Sequence, residues 1–395
     1  MLNSRTVNVR YALIQGLYWC INCVTLGYAS FFLLQRGFSS STIGIILALG
    51  NLASLLLQPA VAAAADRAKR PCLMQIITVL TAVSGVLFVF MRQMQSAGAL
   101  LAVVFTLTFI LHNSVQPLIN SFAFYIERFN TAINFGISRG TGSLLYAVVS
   151  VILGYLTVSA GADIVPTAGL VLSVLFIAAM SLFRSFKKPP AGNSSHANGV
   201  SSRPGRLRLN RSTVILLAGT AILFYSHSTL NTFMMQMVSD VGGSSSQLGT
   251  LGCYTALLEL PAMFLFSRLC RRFSCAGMIR CASVFFTVKN LICFLAPNML
   301  MLYAGMFFQC LSFALFTPAA VRYVQLTSDE SMTNRAQAYL TGMITAGNIL
   351  SSLLSGFFID ALGVKKTLAI SCVVCACGAV LLLLFLKKEN TAVRR

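Results

Sequence analysis

Charged residues are scarce in this chain: Asp, Glu, Lys and Arg make up 10% of its 395 residues, where a soluble domain carries about a quarter. So few charges cannot cover the surface of a soluble enzyme, and a cytosolic fold is excluded. Acids are the rarest, nine against 29 Lys and Arg, with only three His and one Trp. There is no nucleotide-binding loop, no metal-ligand cluster and no nucleophile–base spacing to support an enzyme, and no cofactor is expected. No ligand-binding domain supports a receptor. The formal charge of +20 raises the question of nucleic acid, but the basic residues form short clusters between apolar stretches without interleaved aromatics. Nucleic acid is therefore not an expected partner; loop charge that sets membrane topology accounts for the balance.

What the chain has instead is apolar length. Hydrophobic side chains make up 57% of it, with a mean hydropathy of +0.80, the composition of a polytopic membrane protein. Of the 12 cysteines, most lie inside apolar runs, as Cys372, Cys375 and Cys377 do. A reduced compartment or the bilayer itself explains them better than disulfides or metal. The first apolar run, from about Tyr11 to Gln35, is longer than a signal-peptide core and leads into another, so it is read as a span.

Segments long enough to cross about 30 Å of hydrocarbon run over approximately 10–35, 41–65, 72–92, 98–126, 134–158, 164–186, 212–239, 244–269, 276–296, 298–327, 335–360 and 364–386. They lack the alternation of barrel strands, and helices satisfy their backbone within one segment. The expectation is an all-α membrane protein of twelve transmembrane helices in two six-helix bundles, 1–186 and 212–395. Between them, 187–211 is rich in Pro, Gly, Ser, Asn and basic residues and reads as a flexible linker. Most Lys and Arg fall at ends that an inward N-terminus places in the cytoplasm, so a cell-membrane protein with both termini cytoplasmic is expected.

The halves read as repeats. Gly37-Phe38-Ser39-Ser40-Ser41-Thr42-Ile43-Gly44 opens the second span and Gly242-Gly243-Ser244-Ser245-Ser246-Gln247-Leu248-Gly249 the eighth, at a constant offset of 205. A weaker echo relates Ile152-Leu153-Gly154 to Leu354-Ser355-Gly356. Parallel repeats of this kind build carriers with a solute site between the halves near mid-bilayer.

Twelve spans as six plus six, the long central loop and Asp66-Arg67-Ala68-Lys69-Arg70 after the second span resemble the major facilitator superfamily. The lactose permease-like proton symporters and the 3-phenylpropionic acid transporter group are most similar, through Phe135 to Ser143, Glu259 to Arg272, and Ala319 to Tyr323. The loop departs from the family in carrying Ala62 where Gly is usual. The resemblance implies a monomeric carrier working by alternating access, with a small-molecule substrate and protons as partners within the lipid bilayer. It also implies that spans one, four, seven and ten line the cavity.

Candidate residues follow from depth, because an ionisable group inside the bilayer is costly. Among the acids only Glu259 is deep. Lys289 differs from it in depth by about 5 Å at 1.5 Å per residue, so the two either form a proton-coupling pair or a static pair fixing helix packing. The resemblance places Lys289 where the symporters carry an arginine linked to proton movement. His227 and His112 lie halfway through the seventh and fourth spans, as proton-linked or solute-facing groups or as interhelical bridges. Arg139 falls on the symporters' sugar-binding arginine, and its alternative is a snorkelling surface residue.

Asn22, Asn113 and Gln116 within spans, and Trp19 among the first-span aromatics, are solute contacts or packing groups. Gln309 and Ser312 stand where the permease carries His and Glu, and Ala123 where it carries an acid, so lactose itself is not the expected solute. Asp66, Arg67 and Arg70 are expected to gate through helix-dipole and ion-pair contacts. The function expected is uptake of a sugar, nucleoside or aromatic acid by proton symport; the alternative is a drug or metabolite efflux antiporter of the same fold.

Overall fold

The computed structural model describes residues 4–67, 73–127, 132–183, 210–328 and 333–389. Among these the secondary structure is helical throughout: α1 (Ser4–Asn22), α2 (Ala29–Gln35), α3 (Ser40–Arg67), α4 (Leu73–Gln93), α5 (Ala99–Glu127), α6 (Phe135–Ala160), α7 (Ile164–Ser181), α8 (Arg211–Thr232), α9 (Met234–Asp240), α10 (Ser245–Arg272), α11 (Cys275–Leu295), α12 (Met299–Phe307), α13 (Phe313–Thr327), α14 (Thr333–Leu362) and α15 (Val364–Phe385). Nine of these described helices are long and apolar enough to span a membrane alone, and two bent pairs raise the number to eleven. Span ten, built from α12 and α13, completes the twelve, in two six-helix halves. Large apolar side chains such as Leu56, Leu300 and Leu384 point outward, 70%, 79% and 69% exposed. In water such a surface would aggregate; in hydrocarbon it is the stable one. Most of the linker, with Arg70, lies outside the described residues. Asp66 and Arg67 close α3, but their side chains are likewise not described.

Three spans expected as single helices are interrupted. Span one passes through a π-helical segment, Cys23–Gly27, and turns by 44° before α2. Gly27 leaves room there for the Tyr146 hydroxyl, which an added Cβ would meet at 2.6 Å. Span seven breaks at Phe233, between α8 and α9, and span ten breaks between Phe307 and Phe313. The breaks in spans one and seven fall at equivalent points of the repeat. Tyr28, at φ −105°, and Phe233, at φ −107°, are 205 positions apart. The left-handed turns at Gly37 (φ 92°) and Gly242 (φ 75°) share that offset.

The halves meet along two seams, α3 against α14 and α6 against α10. Glycine makes the close approach possible. An added Cβ on Gly44 would meet the Ser352 carbonyl oxygen at 2.0 Å and the Gly356 Cα at 3.5 Å. On Gly249 it would meet the Ser150 carbonyl oxygen at 2.4 Å and the Gly154 Cα at 2.8 Å. Both sequence echoes, Gly44 with Gly249 and Gly154 with Gly356, thus fall on these contacts. They lie toward the end of the bundle away from the chain termini.

Candidate functional site

Between the halves lies a cavity of about 490 Å³. The broken first and seventh spans contribute Trp19, Asn22 and Gly27 on one side and His227, Ser228 and Asn231 on the other, and the break in span ten contributes Gln309. Helix interruption at such a place frees backbone and side chains to face a solute. Asn113 and Gln116 of α5 and Arg139 of α6 also line the wall, as does Glu259 of α10. The sequence reading thus placed most of its candidates on one surface. It missed α3, which supplies Asn51, Ser54 and Gln58, and the side chains Thr341 and Thr345 that α14 adds to Asn348. The signal was available: each set recurs at three- or four-residue spacing, a polar stripe on an otherwise apolar helix.

Arg139 is held by its own motif. Its guanidinium stacks over the Trp19 ring at 3.9 Å from the centroid, and Nη1 donates to the Ser143 hydroxyl at 3.0 Å. Gly142 makes this possible, since a Cβ would come within 2.5 Å of Trp19 Cδ1. Arg139 therefore faces the cavity and is not the snorkelling surface residue that was its alternative reading.

Glu259 and Lys289 are joined through an intermediary. Gln309 Nε2 donates to Glu259 Oε1 at 2.9 Å, and its Oε1 accepts from Lys289 Nζ at 3.0 Å. Lys289 also lies 3.1 Å from His227 Nδ1. The lysine is fully buried on α11, behind the cavity wall that His227 and Gln309 form. The His227 ring is fixed by stacking on Phe313, centroids 4.6 Å apart and nearly parallel, and by the edge of Phe286 at 5.7 Å. The arrangement is a continuous polar chain from Glu259 to Asn231, with Glu259 near enough to Arg139 and Lys289 to feel both charges. Such a chain can store or relay a proton and can sense what binds at its open ends.

His112 takes a different place. It is buried against Tyr18, the rings stacked at 4.4 Å, and its Nε2 lacks a hydrogen-bond partner among the described residues. It stands behind the aromatic lining of span one, outside the set of residues that form the cavity wall.

Comparison with known proteins agrees with this architecture. The model of the MFS_1 like family matches residues 10–370. The chain is 24% identical to the maltose permease of Geobacillus stearothermophilus over 358 residues, 90% of this chain and 88% of the permease. It is 21% identical to the uncharacterized transporter YwbF of Bacillus subtilis (strain 168) over 362 residues, 90% and 87% of the two chains. Among solved structures, a point mutant of the nucleoside transporter NupG superposes with a TM-score of 0.82 at 14% identity, covering 98% of this chain and 100% of that one. A bacterial homolog of the lysosomal transporter Spinster, inward-facing and unoccupied, superposes with a TM-score of 0.71 at 14% identity and 96% coverage of both chains.

Proposed function

Because this chain belongs to the MFS_1 like family, and is on that ground a membrane transporter rather than an enzyme, we propose that it imports an uncharged, hydroxyl-rich solute, a sugar or a nucleoside, together with protons. The observation that carries this reading is the polar chain Glu259–Gln309–Lys289–His227, which ends on a cavity between the two halves. A group whose charge is compensated only through neighbours changes its proton occupancy when those neighbours are rearranged. Rocking of the halves about the cavity, with the solute and a proton bound together, supplies that rearrangement.

The solute class follows from the wall. Amides and hydroxyls from Asn22, Asn51, Gln116, Asn231 and Asn348 offer both donors and acceptors, Trp19 offers an apolar face, and the charges of Arg139 and Glu259 are of opposite sign. Rings bearing several hydroxyl groups suit such a surface. A maltose permease and a nucleoside transporter among the similar proteins support the same class. The basic residues of the loops favour both termini in the cytoplasm of a cell-membrane protein, and likeness to other major facilitator carriers favours a monomer.

The deciding experiment follows internal pH in liposomes holding the purified protein while sugars and nucleosides are added outside. Acidification that depends on one of these solutes, and that Glu259→Gln abolishes, is expected. Solute entry without proton movement, unchanged by the substitution, would sink the coupling. An exporter would give the opposite sign in whole-cell accumulation.

A further inference from the structure

The helices of both seams also line the cavity, and the walls they form are related by the repeat. Ser54 lies at the offset of 205 from Glu259 that relates Gly44 to Gly249. Thr341 lies at the offset of 202 from Arg139 that relates Ser150 to Ser352 and Gly154 to Gly356, the partners of those glycines across the seams. The repeat that sets Arg139 and Glu259 on the α6–α10 wall therefore sets Thr341 and Ser54 on the α3–α14 wall. One cleft carries a cation and an acid; the other carries two hydroxyls in their place.

Hydrogen bonding on the α3–α14 wall runs in one direction. Ser54 Oγ donates to the Gly50 carbonyl at 2.7 Å, Thr341 Oγ1 to that of Gln337 at 3.1 Å and Thr345 Oγ1 to that of Thr341 at 3.1 Å. Each hydroxyl hydrogen is spent on its own helix, and lone pairs remain for the cavity. Asn51 turns its NH₂ group to the Leu47 carbonyl at 2.9 Å. Gln58 turns its own to the Asn113 carbonyl at 3.4 Å. Their amide oxygens are left as the outer ends, so the wall is one of acceptors and calls for a ligand that brings the hydrogens.

A single cation does not fit that spread. Asn51 and Gln58 are seven residues apart, about 10 Å along a helix, while a cation needs its oxygens within about 2.6 Å. A nucleobase edge fixes acceptors among its donors, whereas every hydroxyl of a sugar can turn its hydrogen outward.

We propose that the α3–α14 cleft is a second solute subsite, which takes one polyhydroxyl ring while the Arg139–Glu259 cleft takes another, so that the solute is a two-ring sugar. The inference rests on the reading of the solute as hydroxyl-rich and is independent of proton coupling. Asn51, Ser54 and Gln58 hold the second ring from one half of the chain, and Thr341 and Thr345 hold it from the other.

The test is sugar titration of the purified protein in lipid, read by the fluorescence of Trp19. It is the one tryptophan of the chain and lies under Arg139 in the first cleft. Maltose is expected to bind about tenfold more tightly than glucose, from the hydrogen bonds of its second ring. Asn51→Leu with Thr341→Val nearly keeps side-chain volume and removes acceptors. The pair is expected to weaken maltose about tenfold and glucose less than about twofold. If the pair does not fold, Thr345→Val is titrated in its place, with a smaller loss confined to maltose expected. Equal losses for the two sugars, or maltose binding at the unsubstituted level, overturn the proposal. Binding of uridine without maltose overturns it and leaves the hydroxyl-rich solute standing. Binding of none of the three to the unsubstituted protein defeats both.

Discussion

Asp360, near the end of α14, caps the N-terminus of α3 across the seam between the halves: its Oδ1 accepts from the Ser40 backbone N–H at 3.0 Å and its Oδ2 from that of Ser41 at 2.6 Å. The repeat-related terminus of α10 is capped within its own chain segment, where Gln247 Oε1 accepts from the Ser244 backbone N–H at 2.9 Å. The difference lies in one residue. Thr42 stands where α10 has Gln247 and is too short to reach back; its own N–H bonds the Ser39 hydroxyl at 3.2 Å, and the Ser40 and Ser41 N–H groups are satisfied by the other half.

Loss of that cap should loosen one seam without unfolding the protein. Asp360→Asn removes the charge and one acceptor, about 1–2 kcal/mol by the scale of N-caps and helix dipoles, which is roughly a 5–30-fold shift toward conformations with that end open. Spin-label distances between positions 39 and 362 read the shift directly. An unchanged distance distribution would mean that the glycine contacts alone hold the seam.

The glycine contacts themselves should be intolerant of side chains. Gly249→Val would drive its Cβ against the Ser150 carbonyl, a backbone atom with no room to yield. Transport is expected to fall more than tenfold while solute binding and helical content persist, because only one conformation is obstructed. Gly98, where an added Cβ meets nothing within 4 Å, is the control, and Gly98→Ala should transport normally.

Arg139→Lys tests the stacked guanidinium. Lysine keeps the charge but loses the planar face over Trp19 and the bond to Ser143. With about 0.5–2 kcal/mol in such a contact, KM should rise roughly 2–30-fold with a smaller effect on kcat. An equal fall in kcat and unchanged KM would show that Arg139 acts on the rocking step rather than on solute.

The Arg36 side chain is 6% exposed and pairs with Asp163, which is 44% exposed, while Gln95 Oε1 accepts a second bond at 2.6 Å. Removing the acid leaves a buried guanidinium short of acceptors. Because solvent screens Asp163, Asp163→Ala should cost only about 1 kcal/mol, read as a lower thermal midpoint in detergent. Adding Arg36→Met should restore part of it, since the unpaired charge is then gone.

The candidate site was partly legible. Depth alone singled out Glu259, Lys289 and His227, since a charge inside hydrocarbon must have a use or a partner. The offset of 205 marked Gly44 and Gly249 as equivalent, and both lie on the seams. The role of Gln309 was not legible. Read as a solute contact, it also stands between the acid and the lysine, because the tenth span breaks at that point and a helical repeat cannot foretell where a backbone will open.

The sequence by itself determined the class, the twelve spans and the two-fold repeat. Those depend on transfer from water to hydrocarbon and on backbone groups bonding within one segment, terms that each stretch of chain meets alone. Only the tertiary structure decided which polar side chains meet. A helix's rotation about its axis is set by what packs against it, and here the contacts that set it, α3 with α14 and α6 with α10, join residues from opposite halves of the chain. The stripe of Asn51, Ser54 and Gln58 is visible in the sequence, but that it faces a cavity rather than a neighbouring helix is a property of the packed pair of halves.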